Sequence, residues 1–115
     1  MDELVAFMAY RSLANAYIEY GSLEKVQPLL NKQIEHMPKV AYLGPLHKTM
    51  NLVTFAKLYW TLGSREQWDY MIRQALGVAS DAGLYHQIQK MRRAYGDALD
   101  PLLNELKVSL EMTEI

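Results

Sequence analysis

Apolar side chains recur three or four residues apart through most of the chain, and glycines interrupt them. This spacing on both sides of Gly21 is the pattern of helices that each bury one face. Gly21 fits the position after a helix end, where a left-handed backbone favours a residue without Cβ, and Ser22 fits the next N-cap. Two helices joined by so short a turn predict an antiparallel hairpin. The apolar positions are Leu13, Ala14, Ala16, Tyr17 and Tyr20 before the turn, and Leu23, Val26, Leu29, Leu30, Ile34 and Met37 after it.

The same pattern returns further along the chain. Gly63 lies 42 residues (63 − 21) after Gly21, and Ser64 follows it as Ser22 follows Gly21. Recurrence at such a spacing indicates stacked helix pairs, because one pair alone cannot bury its apolar face. The matched positions are Leu13 with Phe55, Ala14 with Ala56, Tyr17 with Tyr59, Glu24 with Glu66, Val26 with Trp68, Leu29 with Met71, Leu30 with Ile72 and Ile34 with Leu76.

Helix boundaries follow from capping residues and breakers. Ser64 to Gln67 matches a capping box, which starts a fourth helix, and Asp100-Pro101 fits an N-cap followed by proline at the start of a last helix. Pro28 lies past the first turn of the second helix, so we expect it to remove one hydrogen bond and kink that helix. The prediction is an all-α stack of antiparallel hairpins with about six helices in a single domain, 1–115. Its pairs cover about residues 3–37, 46–82 and 84–112.

The composition is that of an ordinary globular chain. Half of the 115 residues are apolar, 22% are charged and the formal net charge is −1, so no field of the whole molecule favours nucleic acid or an anionic membrane. The absence of cysteine excludes disulfides, thiolate metal sites and a cysteine nucleophile. No apolar run is long enough for a membrane span, and no signal peptide is evident. We therefore expect a cytoplasmic protein.

The order of residue types in the first hairpin resembles the tetratricopeptide repeat, and the match covers most of the chain. The spacing of 42 exceeds the usual 34 of that family and is similar to its long-helix variants in kinesin light chains and in the effector domains of large maltose-type bacterial activators. The second copy departs from the pattern at Trp68 and at Ser80. The first copy carries it on Tyr10, Leu13, Ala14, Tyr17, Gly21, Val26, Leu30 and Pro38, and the second on Phe55, Ala56, Tyr59, Gly63, Ile72 and Ala75.

The resemblance implies a concave groove that binds a peptide through the first helix of each pair. Arg11 and Asn15 are similar to the carboxylate clamp of family members that grip a peptide C-terminus, although Thr54 stands where a second amide is wanted. His86, Lys90 and Arg93 share one face of the fifth helix and could extend a basic line that favours an acidic peptide; a solvated face is the alternative. The predicted peptide-binding residues are Arg11, Asn15, Ile18, Met50, Val53, Thr54, Lys57, Trp60, His86, Lys90 and Arg93.

The chain shows no catalytic pattern. Its three histidines have no ligand spacing, and no phosphate loop or serine elbow is present, so we expect neither an enzyme, nor a cofactor, nor a metal. A protein-interaction module binding a partner peptide or helix is the first hypothesis. The alternatives are an effector-sensing or oligomerising regulatory domain of a larger transcriptional activator, and a small chaperone for an apolar segment. Residues 90–93 form too small a basic cluster to predict nucleic-acid binding.

The start of the first helix is apolar on every side. A helix of that kind needs partners all round, so it is either tightly buried or a docking face. We predict a possible homo-oligomer contact there, formed by Leu4, Val5, Phe7 and Met8.

Overall fold

The structure, a computed structural model, describes residues 3–36 and 44–107, and every element within these ranges is a helix. The predicted all-α class with six helices is confirmed. The α-helices are α1 (Glu3–Tyr20), α2 (Val26–His36), α3 (Pro45–Thr61), α4 (Arg65–Asp81), α5 (Tyr85–Tyr95) and α6 (Asp100–Glu105); one-turn 3-10 helices, Leu23–Lys25 and Gly96–Ala98, precede α2 and α6.

Two antiparallel hairpins form the body of the fold, because α1 packs most extensively on α2, and α3 on α4. Both first helices end in the same way. Gly21 has φ +78° and Gly63 has φ +76°. The N–H of Ser22 donates to the carbonyl of Tyr17 at 3.0 Å, and that of Ser64 donates to Tyr59 at 2.8 Å. This closing bond satisfies a carbonyl at the helix end and reverses the chain.

Helix α3 lies between two apolar cores, which explains why its sequence is apolar on more than one face. Phe55 and Leu58 belong to the core of the first hairpin, and Ala56 belongs to the core built on α4, α5 and α6. Tyr59 and Met71 pack against both cores. The first core comprises Ala14, Ile18, Val26, Leu30, Phe55 and Leu58, and the second comprises Ala56, Trp68, Ile72, Ala75, Leu76, Ala79, Ile88, Met91, Leu99, Leu102 and Leu103.

The predicted effect of Pro28 is wrong. The chain enters the second helix through a 3-10 turn, and the α-helical part begins only at Val26. Pro28 is therefore the third residue of α2, where backbone N–H groups have no partner within the helix. The absence of an N–H group at Pro28 therefore removes no hydrogen bond within the helix.

The start of α4 is predicted correctly, but its cap differs from a capping box. Ser64 is the N-cap, and its side chain makes no bond to a backbone N–H. The Ser64 hydroxyl instead donates to the side-chain oxygen of Gln67.

The last helix is shorter than predicted. Leu99 is its N-cap, so Asp100 lies inside the helix rather than before it. α6 ends at Glu105, and Lys107 has a left-handed backbone, φ +55°. Leu106, just past the end of α6, is 39% exposed. The prediction of helix up to residue 112 is therefore wrong at 106 and 107, and its remainder lies outside the described residues.

Candidate functional site

A groove opens between α3 and α5. Each of the two helices lines it with side chains from one of its faces. Its volume is about 400 Å³. We call this surface the α3–α5 groove. It is lined by Val53, Lys57, Trp60 and Thr61 of α3 and by Gln87, Lys90, Met91, Ala94 and Tyr95 of α5. Both sets follow helical spacing, so the groove runs along the two helices rather than across them.

Two lysines are the charged residues that line the α3–α5 groove. Lys90 is exposed on α5 and is in no ion pair within the part of the chain that the structure describes. The Nζ of Lys57 lies 3.7 Å from Oε1 of Glu19, and both side chains are well exposed. An exposed pair of this kind is worth only about 0.2–1 kcal/mol and gives way easily to another carboxylate. The groove is thus locally basic although the chain as a whole is slightly acidic.

The floor of the α3–α5 groove rests on three aromatic rings. The ring centroids of Trp60 and Trp68 are 5.0 Å apart, those of Trp60 and Tyr95 are 4.9 Å apart, and those of Trp68 and Tyr95 are 5.2 Å apart. The guanidinium of Arg65 lies 3.9 Å above the Trp60 ring. Edge-to-face contacts and a cation over the indole hold such rings in fixed orientations. Trp60 is therefore a rigid, half-buried apolar surface beside two lysines.

The position of Tyr95 in this cluster makes its phenol harder to ionise than an exposed one. Burial raises the pKa of the Tyr95 phenol, and the nearby indole N–H of Trp68 lowers it by less. The Trp68 nitrogen is itself buried and has no hydrogen-bond partner among the described residues. The net direction is upward, and since a phenol is already neutral at neutral pH, the floor of the groove adds no negative charge to oppose the lysines.

Of the two clamp-like residues, Arg11 is buried and Asn15 is half-buried. Arg11 is only 7% exposed, and its Nη1 is 3.4 Å from Nδ1 of His47. Burial lowers the pKa of its guanidinium. The amide nitrogen of Asn15 donates to the Arg11 carbonyl at 3.2 Å and to Oγ1 of Thr54 at 3.4 Å. These side chains join α1 to α3, so burial takes the Arg11 guanidinium away from a peptide and the Asn15 amide is already engaged in hydrogen bonds.

Several other predicted contacts lie away from the α3–α5 groove. Ile18 is buried in the first core, because that side of α1 faces α3. Met50 is half-buried and does not line the groove. His86 and Arg93 are exposed on the outer side of α5, so they share a face with Lys90, as predicted, but that face meets the groove only at Lys90. The structure brings together Val53, Lys57, Trp60 and Lys90.

The predicted oligomer face divides into buried and exposed positions. Phe7 is buried at 2% exposure and cannot belong to an outer surface. Val5 and Met8 are exposed at 54% and 40%. The side chain of Leu4 lies outside the described residues.

Sequence reasoning missed part of the lining of the α3–α5 groove. Met91 and Tyr95 lie at the boundary between the second core and the groove, which helical spacing alone does not resolve. The contact of Arg65 with Trp60 could not be predicted from spacing, because the two residues lie on different helices and approach only after the chain reverses at Gly63. Gln87 and Ala94 lie one turn from Met91 and could have been found by extending its stripe.

The comparisons with known proteins leave the resemblance untested. No family model matches the chain, and neither a curated protein nor a solved structure matches it significantly. Among the described residues, no three histidine, aspartate or glutamate side chains cluster as metal ligands would. No helix in the described ranges combines the length and apolar character that crossing a bilayer requires. The similarity to tetratricopeptide repeats therefore stays a prediction.

Proposed function

We propose that this chain is a non-enzymatic protein-interaction module whose α3–α5 groove binds an acidic segment of a partner protein. The observation that carries the proposal is the pairing of two exposed lysines, Lys57 and Lys90, with the rigid surface of Trp60. Long-range attraction between the lysines and acidic residues would speed the encounter and select the partner. Burial of an apolar partner side chain against the indole would supply most of the affinity.

The dimensions of the groove favour a short segment with mixed character. A volume of about 400 Å³ accommodates two or three side chains and is too small for a folded domain. The lysines come from opposite walls, so the segment would place acidic residues on both sides of one apolar residue. Thr61 and Gln87 offer further hydrogen bonds at the rim. A leucine or phenylalanine flanked by glutamates meets these requirements.

Three synthetic peptides of twelve residues test the proposal. One alternates glutamate with leucine and phenylalanine, the second replaces every glutamate by lysine, and the third replaces every apolar residue by serine. Acetylated and amidated ends remove the terminal charges. The chain has two tryptophans, so the two indole N–H signals in an NMR spectrum are simple to follow.

The proposal predicts that only the first peptide binds well and that it shifts the Trp60 indole signal. Its affinity should fall several-fold between about 50 and 300 mM salt, because screening weakens the lysine contacts. Equal binding of the acidic and basic peptides, or binding that leaves the Trp60 signal unchanged, would contradict the α3–α5 groove as the site.

A further inference from the structure

The outer face of α1 is an apolar surface that no helix among the described residues covers. Val5 is 54% exposed, Leu13 44% and Tyr20 84%. Ala9 and Ser12 are exposed between them, and Ala16 is half-buried. We call these six residues the α1 outer face. Their positions lie on two neighbouring i, i+4 rows, Val5-Ala9-Leu13 and Ser12-Ala16-Tyr20, so they form one continuous surface about four turns long. None of the six is charged.

The corresponding side of α3 shows what such a surface packs against. Of the six residues 42 positions further along, Asn51, Thr54, Phe55 and Leu58 are buried, His47 is half-buried and Leu62 is 54% exposed. Phe55 and Leu58 pack in the core of the first hairpin, so on α3 this side is covered by helices of the same chain. On α1 the equivalent side is likewise uncharged, and no helix in the described ranges covers it. The surface is therefore shaped for a helix rather than for an extended peptide.

The six positions of the α1 outer face are arranged symmetrically about a midpoint between residues 12 and 13. If a second α1 is placed antiparallel, with a two-fold axis between residues 12 and 13, Val5 meets Tyr20, Ala9 meets Ala16 and Ser12 meets Leu13. The Val5-Ala9-Leu13 row of one copy thus lies along the Ser12-Ala16-Tyr20 row of the second copy, as in helix pairs that pack ridge into groove. Ser12 and Leu13 meet at the axis, the two small alanines meet one turn further out, and Val5 meets Tyr20 at the ends.

We infer that the α1 outer face is a self-association surface, occupied by the α1 outer face of a second copy in antiparallel orientation. A self-complementary patch of this kind gives a closed, two-fold symmetric dimer. No unpaired charge is buried, because the nearest acid, Glu19, lies at the edge and is held by Lys57. The α3–α5 groove takes no lining residue from α1, so the dimer leaves it open.

The size of the surface sets the strength of the dimer. α1 has 18 residues and is about 27 Å long. One face of a helix this long buries less than the roughly 800 Å² per partner of a standard stable interface. The dimer is therefore weak and dissociates on dilution within the concentrations that sedimentation can reach.

Single cysteines test the orientation directly, because the natural chain has none. Three variants of the full chain are oxidised near the dissociation midpoint: Val5→Cys, Tyr20→Cys and, as an exposed control on α4, Gln74→Cys. Mixing Val5→Cys with Tyr20→Cys should give a disulfide-linked dimer at least ten times faster than Val5→Cys alone or Gln74→Cys alone. Faster linking of Val5→Cys to itself would mean parallel pairing and would overturn the inference.

Charge placed at the axis tests the surface without cysteine. Ser12→Glu brings two carboxylates together across the two-fold axis and should abolish the dimer in sedimentation runs, whereas Gln74→Glu should leave it unchanged. Both positions are exposed on helices, and circular dichroism checks that the helix content is kept. A natural chain that remains monomeric up to millimolar concentration, or a dimer that Ser12→Glu does not weaken, would refute the α1 outer face as its basis.

Discussion

The ammonium of Lys57 lies 3.7 Å from the carboxylate of Glu19, across the junction between the first and second hairpins. This pair is exposed and weak, so a carboxylate of a partner could replace Glu19 beside Lys57. Glu19 would then compete with the partner for Lys57. Glu19→Gln removes the competitor, so it should raise the affinity for the acidic, apolar peptide two- to fivefold at low salt. Fluorescence anisotropy of the labelled peptide measures this.

Glu24→Gln is the matched control for that measurement. Glu24 is exposed in the turn between α1 and α2, and the substitution changes the net charge equally. Equal gains for both variants would mean that the peptide senses only the total charge and not the contact at Lys57.

Two glycines differ in backbone conformation and therefore predict opposite changes in stability. Gly21 has φ +78°, whereas Gly77 lies inside α4 without a positive φ, and neither has an atom within 4 Å of an added Cβ. Gly21→Ala should lower the free energy of unfolding by about 1 kcal/mol, because a side chain strains the left-handed backbone. Gly77→Ala should raise it by about 0.5–1 kcal/mol. Urea unfolding followed by circular dichroism compares them, and changes of the same sign would contradict the turn geometry.

Asn51 is fully buried, and its amide nitrogen and oxygen have no hydrogen-bond partner among the described residues. An unpaired buried amide destabilises a fold by roughly 1–3 kcal/mol. Asn51→Leu should therefore raise the free energy of unfolding by about 1 kcal/mol. Asn104→Leu, at an exposed position of α6, should change it by less than about 0.5 kcal/mol. A loss of stability in Asn51→Leu would mean that the amide is bonded in the folded protein.

Burial raises the pKa of Tyr95, which makes stability depend on pH in the alkaline range. Below the ordinary pKa of 10.0 the phenol is neutral in both states and contributes no pH dependence. Above it, the unfolded chain releases the proton while the folded chain keeps it, so the free energy of unfolding falls as the pH rises. Tyr95→Phe keeps the ring and should remove this part of the decline, as measured by urea unfolding from about pH 9 to 11.

Tyr70→Phe, at a position that is 64% exposed, is the control for Tyr95→Phe. If the natural chain and Tyr95→Phe lose stability in parallel above pH 10, Tyr95 would have no special role in the decline.

The sequence contained enough information for the hairpins and for much of the α3–α5 groove. The turns at Gly21 and Gly63 could be predicted because a left-handed helix end has a local cause. The places of Trp60 and Lys90 could be predicted because helical spacing fixes which side chains share a face. The burial of Arg11 could not be predicted from the sequence. It depends on which face of α1 meets α3, and that is decided by packing between hairpins and not by either helix alone.

The two ends of the described chain show the same limit. The apolar start of α1 predicted an unusual surface, but spacing alone could not show that Phe7 points inward while Val5 points outward. The early end of α6 was also missed, because its leucine spacing continues past Glu105 while the backbone does not. In both places the tertiary structure overrides a periodic pattern.

Charge reversal in the α3–α5 groove tests the central claim most directly. Lys57→Glu combined with Lys90→Glu should lower the affinity for the acidic, apolar peptide at least tenfold, and the affinity should no longer fall as salt is added, because the groove then repels the peptide. Lys48→Glu combined with Arg93→Glu changes the net charge by the same amount at exposed positions outside the groove and should cost less than threefold. Equal losses in the two double variants, or no loss in the first, would contradict a basic groove that binds an acidic segment.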